Sequence, residues 1–352
     1  MTEGLNVLSL FDGISCGRVA LERAGVQVNN YYASEVDKHA ISVAQNNYPN
    51  TIQLGDVKDW REWGLPEIDL LIGGSPCQGF SFAGNQLNFD DPRSKLFFEF
   101  VDILRAVKPK YFLLENVKMK KEYQAIINDR LGVEPIEINS NLVSAQNRKR
   151  LYWTNIPGVI HPEDRGIMLK HVVHELEGYV FEQLAEYVVP FDRSLQILDK
   201  EVQRGKVGYF RKDSQANRVY HVHDKAVCLT GEAGGGAAKM GQYLFGCITP
   251  DRLNKGQNGQ RFNNGKKFYT LTAQDKHGIL IEGYIRKLSP MECERLQTLP
   301  DGYTEGVSKT QRYRALGNGW TVDVIAHIFE GLYNLPSSPA SPFNPNTNAP
   351  AG

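Results

Sequence analysis

Apolar positions in the first half of the chain follow two alternating rhythms. Short runs at Asn6-Val-Leu-Ser-Leu10, Tyr31-Tyr-Ala-Ser34, Ile52-Gln-Leu54, Asp69 to Ile72 and Tyr111-Phe-Leu-Leu114 have the length and make-up of buried strands. Between them the spacing turns helical: a stretch ending near Ala24-Gly25, then Ile41 to Asn47, the amphipathic Leu96 to Val107, and Tyr123 to Leu131. Strands separated by helices at this interval predict an α/β fold built on a doubly wound, mostly parallel sheet.

Beyond about residue 160 both rhythms fade. Gly and Asn become frequent, and "GEAGGGAAKMG" (231–241) and "NKGQNGQRFNNGKK" (254–267) read as long loops. "AVCLTGEAGGG" is echoed by "FYTLTAQDKHG", each a short β run, then Leu-Thr, then a turn. The echo predicts a smaller, irregular, β-rich domain with two similar hairpins. Helical spacing returns at Ser289 to Leu299 and at Val322 to Tyr333. The expected division is therefore 1–160, an inserted 161–284, and a return to the first domain over 285–335. The Pro-, Ser- and Asn-rich 336–352 has little to bury and reads as a disordered tail.

Composition narrows the class. Hydrophobic residues at 41% and charged residues at 23% suit a soluble globular chain, and no apolar run approaches the roughly 18–20 residues a bilayer needs. No signal peptide is expected from the first residues. The five cysteines, Cys16, Cys77, Cys228, Cys247 and Cys293, are odd in number, scattered and without a C-x-x-C pair, so neither a disulfide framework nor a metal site is expected. Net charge is +0, yet residues 201–285 hold 13 Lys/Arg against 7 Asp/Glu, a local excess of six. That excess fits either a polyanion-binding surface or a solvated loop face.

The chemistry gathers where strands end. Gly13 and Gly17 in "LFDGISCG" follow the first strand, where backbone must approach a ligand closely, but the G-x-G-x-x-G pattern of pyrophosphate cofactors is missing. Glu35 follows the second strand, where an acid can meet ribose hydroxyls, and Asp56 follows the third, where a carboxylate can accept from an adenine amine. Phe11 and Val36 could enclose the adenine ring. An adenosine site with no phosphate clamp suits S-adenosylmethionine better than NAD. Cys77, in "GGSPCQGFS", follows the fourth strand on a loop that Pro76, Gly79 and Ser81 shape, exposed as a nucleophile must be. "FLLENV" puts Glu115-Asn116 at the next strand end, where a buried carboxyl is costly unless paired or used. In "QNRKR", Arg148 and Arg150 lie two apart on one side of an extended strand.

With these motifs in hand, the chain resembles the C5-cytosine DNA methyltransferase family. "LFDGISCG", "ASEVD", "GDV", "GGSPCQGFS", "ENV", "QNRKR", "RKLSPMECERLQTLPDGYT" and "ALGNGWTVDVIAHIF" occur in family order across 5–155 and 285–333. Departures occur at Ser-Leu-Phe-Asp-Gly in the first motif, at Ser75 before Pro76, and at Gly-Asn-Gly-Trp in the last. The first two, and Trp320, are closer to animal de novo DNA methyltransferases; the middle segments look like bacterial and phage members.

The resemblance implies a Rossmann-like, class I S-adenosylmethionine-dependent methyltransferase fold whose middle part is a target recognition domain. It implies catalytic roles for Cys77, Glu115, Arg148 and Arg150. It implies cofactor contacts from Phe11, Asp12, Gly13, Ile14, Gly17, Glu35, Val36, Asp56, Val57, Pro76, Asn318 and Trp320, with S-adenosylhomocysteine as product. DNA contacts would come from Gln78, Gly79, Ser81 and Arg93 on a mobile loop and from Arg211, Lys212, Arg252 and Arg261 in the middle domain. In the implied reaction, Cys77 adds to C6 of a flipped-out cytosine so that C5 can accept a methyl group. Glu115 holds N3 and the exocyclic amine, Arg150 meets O2, and Arg148 supports the loop or the acid. The expected partner is double-stranded DNA, with no membrane and no metal. A cytoplasmic monomer in a bacterial or phage-infected cell is expected, with or without a cognate restriction endonuclease. A tRNA cytosine methyltransferase and a catalytically silent DNA-binding relative are the alternatives; a NAD-dependent oxidoreductase lacks its phosphate motif.

Overall fold

Leu8, Leu10, Leu71, Phe112 and Leu114 lie in one apolar core, and Val7, Leu70, Ile72, Tyr111 and Leu113 lie in another. Alternate residues of the same strands therefore fill opposite faces of one sheet, and both faces are sealed. A strand can read as continuously apolar only when layers cover it on both sides. The computed structural model describes residues 4–75, 92–173, 195–197, 206–210, 218–221, 225–226, 228–229, 242–245, 284–286 and 288–333.

The main sheet has seven strands: β1 Leu5–Leu10, β2 Val28–Ser34, β3 Ile52–Gln53, β4 Leu70–Gly73, β5 Tyr111–Val117, β6 Ile136–Asn139 and β7 Lys149–Thr154. Their order is β3-β2-β1-β4-β5-β7-β6. The first five pair in parallel, while β7 runs antiparallel to both β5 and β6. The mostly parallel, doubly wound sheet expected from the sequence is present. Its strand order reverses at β1, the switch point where such sheets bind ligands.

Helices α1 Cys16–Arg23, α2 Lys38–Asn47, α3 Pro92–Val107 and α4 Lys121–Leu131 link the strands. Asp37 caps α2 by accepting from His39 N at 2.9 Å, and Gly132, at φ 68°, ends α4. Three more helices arrive late in the chain: α5 Pro290–Leu296, α6 Lys309–Asn318 and α7 Val322–Phe329. Ser289 and Glu292 form a reciprocal capping box at the start of α5, with Pro290 in the first turn. Val322, Val324, Ile325, Ile328 and Phe329 of α7 are fully buried in the core that also holds Val19, Ala20 and Leu21 of α1.

Two expected helices are shorter than their periodicity implies. The one from Ser289 ends at Leu296, and the one from Val322 ends at Phe329 and passes into a 3-10 turn over Glu330–Leu332. Strand β6 and helix α6 were not foreseen. β6 sets Glu137 and Asn139 beside its two isoleucines, and α6, "KTQRYRALGN", buries only Tyr313, Leu316 and Gly317.

A second sheet, of order β12-β11-β10-β9-β8, joins β8 Leu195–Ile197, β9 Lys206–Phe210, β10 Arg218–His221, β11 Gln242–Phe245 and β12 Tyr284–Arg286. It is antiparallel except between β10 and β11. Most of the two echoing segments, and all of 336–352, lie outside the described residues. No helix among the described residues is long and apolar enough to cross a membrane.

Candidate active site

The ends of β1, β2 and β3 stand side by side. After Leu10 the chain turns sharply through Phe11, Gly13 and Ser15, at φ 56°, 59° and 60°. A side chain at Gly13 would meet nothing within 4 Å, so the glycine serves the turn and leaves open space above it. The Gly13 N–H donates to Oε2 of Glu35 at 2.8 Å, while Oε1 accepts from the N–H groups of Val36 and Asp37, both at 2.8 Å. Glu35 is thus fixed at the end of β2, beside Val36, whose side chain is 69% exposed. Asp56 accepts from Lys58 N at 3.1 Å and leads into buried Val57. An open turn, an oriented acid, an exposed aliphatic side chain and a second acid fit an adenosyl group.

Asp12 faces inward. Tyr31 donates its hydroxyl to Oδ1 at 2.8 Å, and Ser15 donates to Oδ2. Burial pushes the Asp12 carboxyl above the usual carboxylate range, against the pull of hydrogen bonds from Ser15, Ser9 and Tyr31. Ile14 is buried beneath the turn, where its carbonyl accepts from the Tyr303 hydroxyl at 2.7 Å. Asp12 and Ile14 shape the turn from below. Gly17 matters for space: a Cβ there would lie 2.5 Å from Cδ1 of Ile72 and 3.3 Å from both Cζ3 of Trp320 and the Tyr31 hydroxyl.

Two strands over, pairing explains the acid and its arginine. Glu115 in β5 lies opposite Tyr152 in β7, and Val117 lies opposite Arg150. Arg150 is therefore the diagonal neighbour of Glu115 on the same face. Its Nε is 3.0 Å from Oε1 of Glu115, with side chains only 14% and 11% exposed. The indole Nε1 of Trp320 donates to the other oxygen, Oε2, at 3.1 Å. Asn116 donates to the carbonyl and hydroxyl oxygens of Ser75, at 3.4 and 3.2 Å, tying the exit of β4 to the exit of β5.

Arg148 is committed elsewhere. Its Nη1 donates to the Leu229 carbonyl at 2.8 Å and lies 3.4 Å from Cys228 Sγ, while Nη2 reaches the carbonyls of Gly317 and Gly319 at 3.1 and 2.9 Å. It pins the 228–229 segment and the turn before Trp320 to the start of β7. Ala226 joins the same seam, donating to Ala145 O at 2.6 Å and accepting from Asn147 N at 2.9 Å.

The expected residues Glu115, Arg150 and Trp320 thus meet at one point, and Gly13, Glu35 and Val36 meet at another, with Asp56 following the neighbouring strand β3 and Gly17 touching the ring of Trp320. Asn318 is exposed at the end of α6. Pro76, Cys77, Gln78, Gly79, Ser81, Arg211, Lys212, Arg252 and Arg261 lie outside the described residues, as does the side chain of Arg93. Sequence reasoning missed Cys228. Its sulfur lies 3.8 Å from Nη2 of Arg150 as well as beside Arg148. Burial would raise this thiol, but the two guanidiniums outweigh it and hold Cys228 below the usual thiol range. "AVCLTG" carries no local sign of such neighbours.

Comparison with known proteins agrees with this geometry. The family model for C-5 cytosine-specific DNA methylases matches residues 5–131 and 140–334. The type II methyltransferase M.NlaX of Neisseria lactamica is 31% identical, with 93% of this chain and 95% of that one aligned. The type II methyltransferase M.HhaI of Haemophilus parahaemolyticus is 28% identical, with 95% of each chain aligned. Among solved structures, the Entamoeba histolytica methyltransferase EhMeth superposes with a TM-score of 0.62 at 18% identity, covering 95% of this chain and 99% of its own.

Proposed function

The chain belongs to the C-5 cytosine-specific DNA methylase family, and on that premise we propose that it methylates C5 of a cytosine flipped out of double-stranded DNA through a transient Cys77–C6 bond. The observation that carries this reading is the Glu115–Arg150 pair at the mouth of the sheet, with Trp320 on the other carboxylate oxygen. A carboxyl group so oriented can accept from the exocyclic amine of a cytosine and share a proton with its N3, and the neighbouring guanidinium suits O2.

S-adenosylmethionine, when bound, supplies an electrophilic methyl group on a sulfonium. Phe11, Gly13, Glu35, Val36, Asp56 and Val57 would hold its adenosyl part. Cytosine C5 is too poor a nucleophile to take that methyl unaided. When the Cys77 thiolate adds to C6, the C5–C6 π pair moves toward C5 and the ring becomes an enamine. A proton shared between Glu115 and N3 neutralises the charge that reaches N3 as this happens, and it returns to Glu115 when the C6–S bond breaks. C5 then gains the methyl, loses its proton to a base, and the C6–S bond breaks to return the thiolate. Three chain steps separate Gly74, which abuts Glu115, from Cys77, a reach of at most about 11 Å. C6 is inaccessible inside a duplex, so the base must leave the stack.

Cys77→Ser is expected to abolish methyl transfer while cofactor still binds; a near-normal rate would refute covalent catalysis. DNA carrying 5-fluorocytosine at the target is expected to trap the chain through Cys77, because fluorine cannot depart as the proton does. Methylation of the unmodified site without trapping would contradict the mechanism. Running tRNA beside duplex DNA as methyl acceptor separates this reading from RNA methylation.

A further inference from the structure

Trp320 occupies a slot that only glycines leave open. A Cβ at Gly74 would lie 2.9 Å from its Nε1 and 3.1 Å from Oε2 of Glu115, and a Cβ at Gly17 would lie 3.3 Å from its Cζ3. Nε1 and Cζ3 are on opposite edges of an indole. The ring therefore spans the gap between the turn after β1, where the adenosyl group would lie, and the acid at the end of β5.

The backbone that carries the ring is fixed on both sides. The Gly319 carbonyl accepts from Arg148 Nη2 at 2.9 Å and from Gln297 Nε2 at 3.2 Å. The hydroxyl of Thr321 donates to Gln297 Oε1 and accepts from Ser140, both at 2.9 Å. The indole thus approaches Glu115 from a preset direction.

We propose that Trp320 is a positioning residue for methyl transfer, its indole N–H holding Glu115 in the working orientation while the far edge of the ring walls the cofactor slot. This rests on the function assigned above. Each carboxylate oxygen has two acceptor sites. With Arg150 on one oxygen and Trp320 on the other, the remaining lone pairs are left in a fixed direction for the amine N–H of the base and for a proton shared with N3. The same ring makes the acid and the methyl donor share a boundary, so a shift of either is felt by the other.

Trp320→Phe keeps a ring in the slot and removes the N–H. In full-length protein, its kcat on duplex DNA should fall roughly ten- to a hundredfold, the size of a hydrogen bond to a charged group. Cofactor Kd by calorimetry with S-adenosylhomocysteine should move by no more than about threefold, since most of the apolar wall remains. A normal kcat, or a loss confined to cofactor affinity, would overturn the proposal. Independently of activity, the indole N–H resonance of Trp320 in 15N-labelled protein should lie downfield and move upfield in Glu115→Gln. A resonance blind to that change would also overturn the proposal, even if Trp320→Phe fails to fold. Wild-type protein that leaves duplex DNA unmethylated would count against the assigned function, while the resonance would still judge the hydrogen bond.

Discussion

Arg148 is only 3% exposed, its N–H groups given to three backbone carbonyls and a sulfur. Truncation would strand those acceptors in a dry interior. Arg148→Met is expected to lower unfolding free energy by about 2–4 kcal/mol, measured from urea midpoints. A change within roughly 0.5 kcal/mol would show that the carbonyls are satisfied without it. Cys16, in the first turn of α1, is governed chiefly by burial, which pushes its thiol up to about 12. Above about pH 9 the unfolded chain releases this proton and the folded chain keeps it, so stability falls as pH rises toward 12. Wild-type stability should therefore decline more steeply than that of Cys16→Ser above pH 9, by up to about 1.4 kcal/mol per pH unit. Parallel pH curves would show that the thiol does not stay protonated.

At the level of elements, close approach sets the limits. The 3-10 turn after α7 lies so near the 156–157 segment that a Cβ on Gly331 would be 2.5 Å from the Pro157 carbonyl oxygen and 2.7 Å from Cγ2 of Ile156. Backbone cannot yield as a side-chain tip does, so Gly331→Ala should cost about 1–3 kcal/mol, seen as a lowered Tm; an unchanged Tm would mean the two segments can part freely. The strands were legible in proportion to their burial. β4 and β5 are nearly sealed along their length and stand out as apolar runs, whereas β6 alternates with the polar Glu137 and Asn139 and α6 shows few buried residues. The direction of β7 left no mark, because side-chain alternation is the same whichever way a strand runs. Glu115, Arg150 and Trp320 were each singled out by strand ends and motif resemblance. Their meeting was not legible, since the indole and the acid are 205 residues apart and only the register of β5 with β7 and the course of the 317–321 turn unite them.

For the whole molecule, charge is balanced in sum and uneven along the chain. If the excess of six positive charges in 201–285 faces DNA, Lys/Arg→Ala changes over 204–267 should weaken binding on any sequence. For each phosphate left without its Lys or Arg, the slope of log K against log salt should flatten by about 0.9. An unaltered slope would place the DNA surface elsewhere. The core facing α1 is closed by α7, and Trp320 rides on the link between α6 and α7. On a ribosome those residues emerge after every strand of both sheets. On the role proposed for Trp320, a nascent chain carries Glu115 for most of its synthesis without the ring that orients it. Premature termination before residue 320 would leave Glu115 without its indole partner.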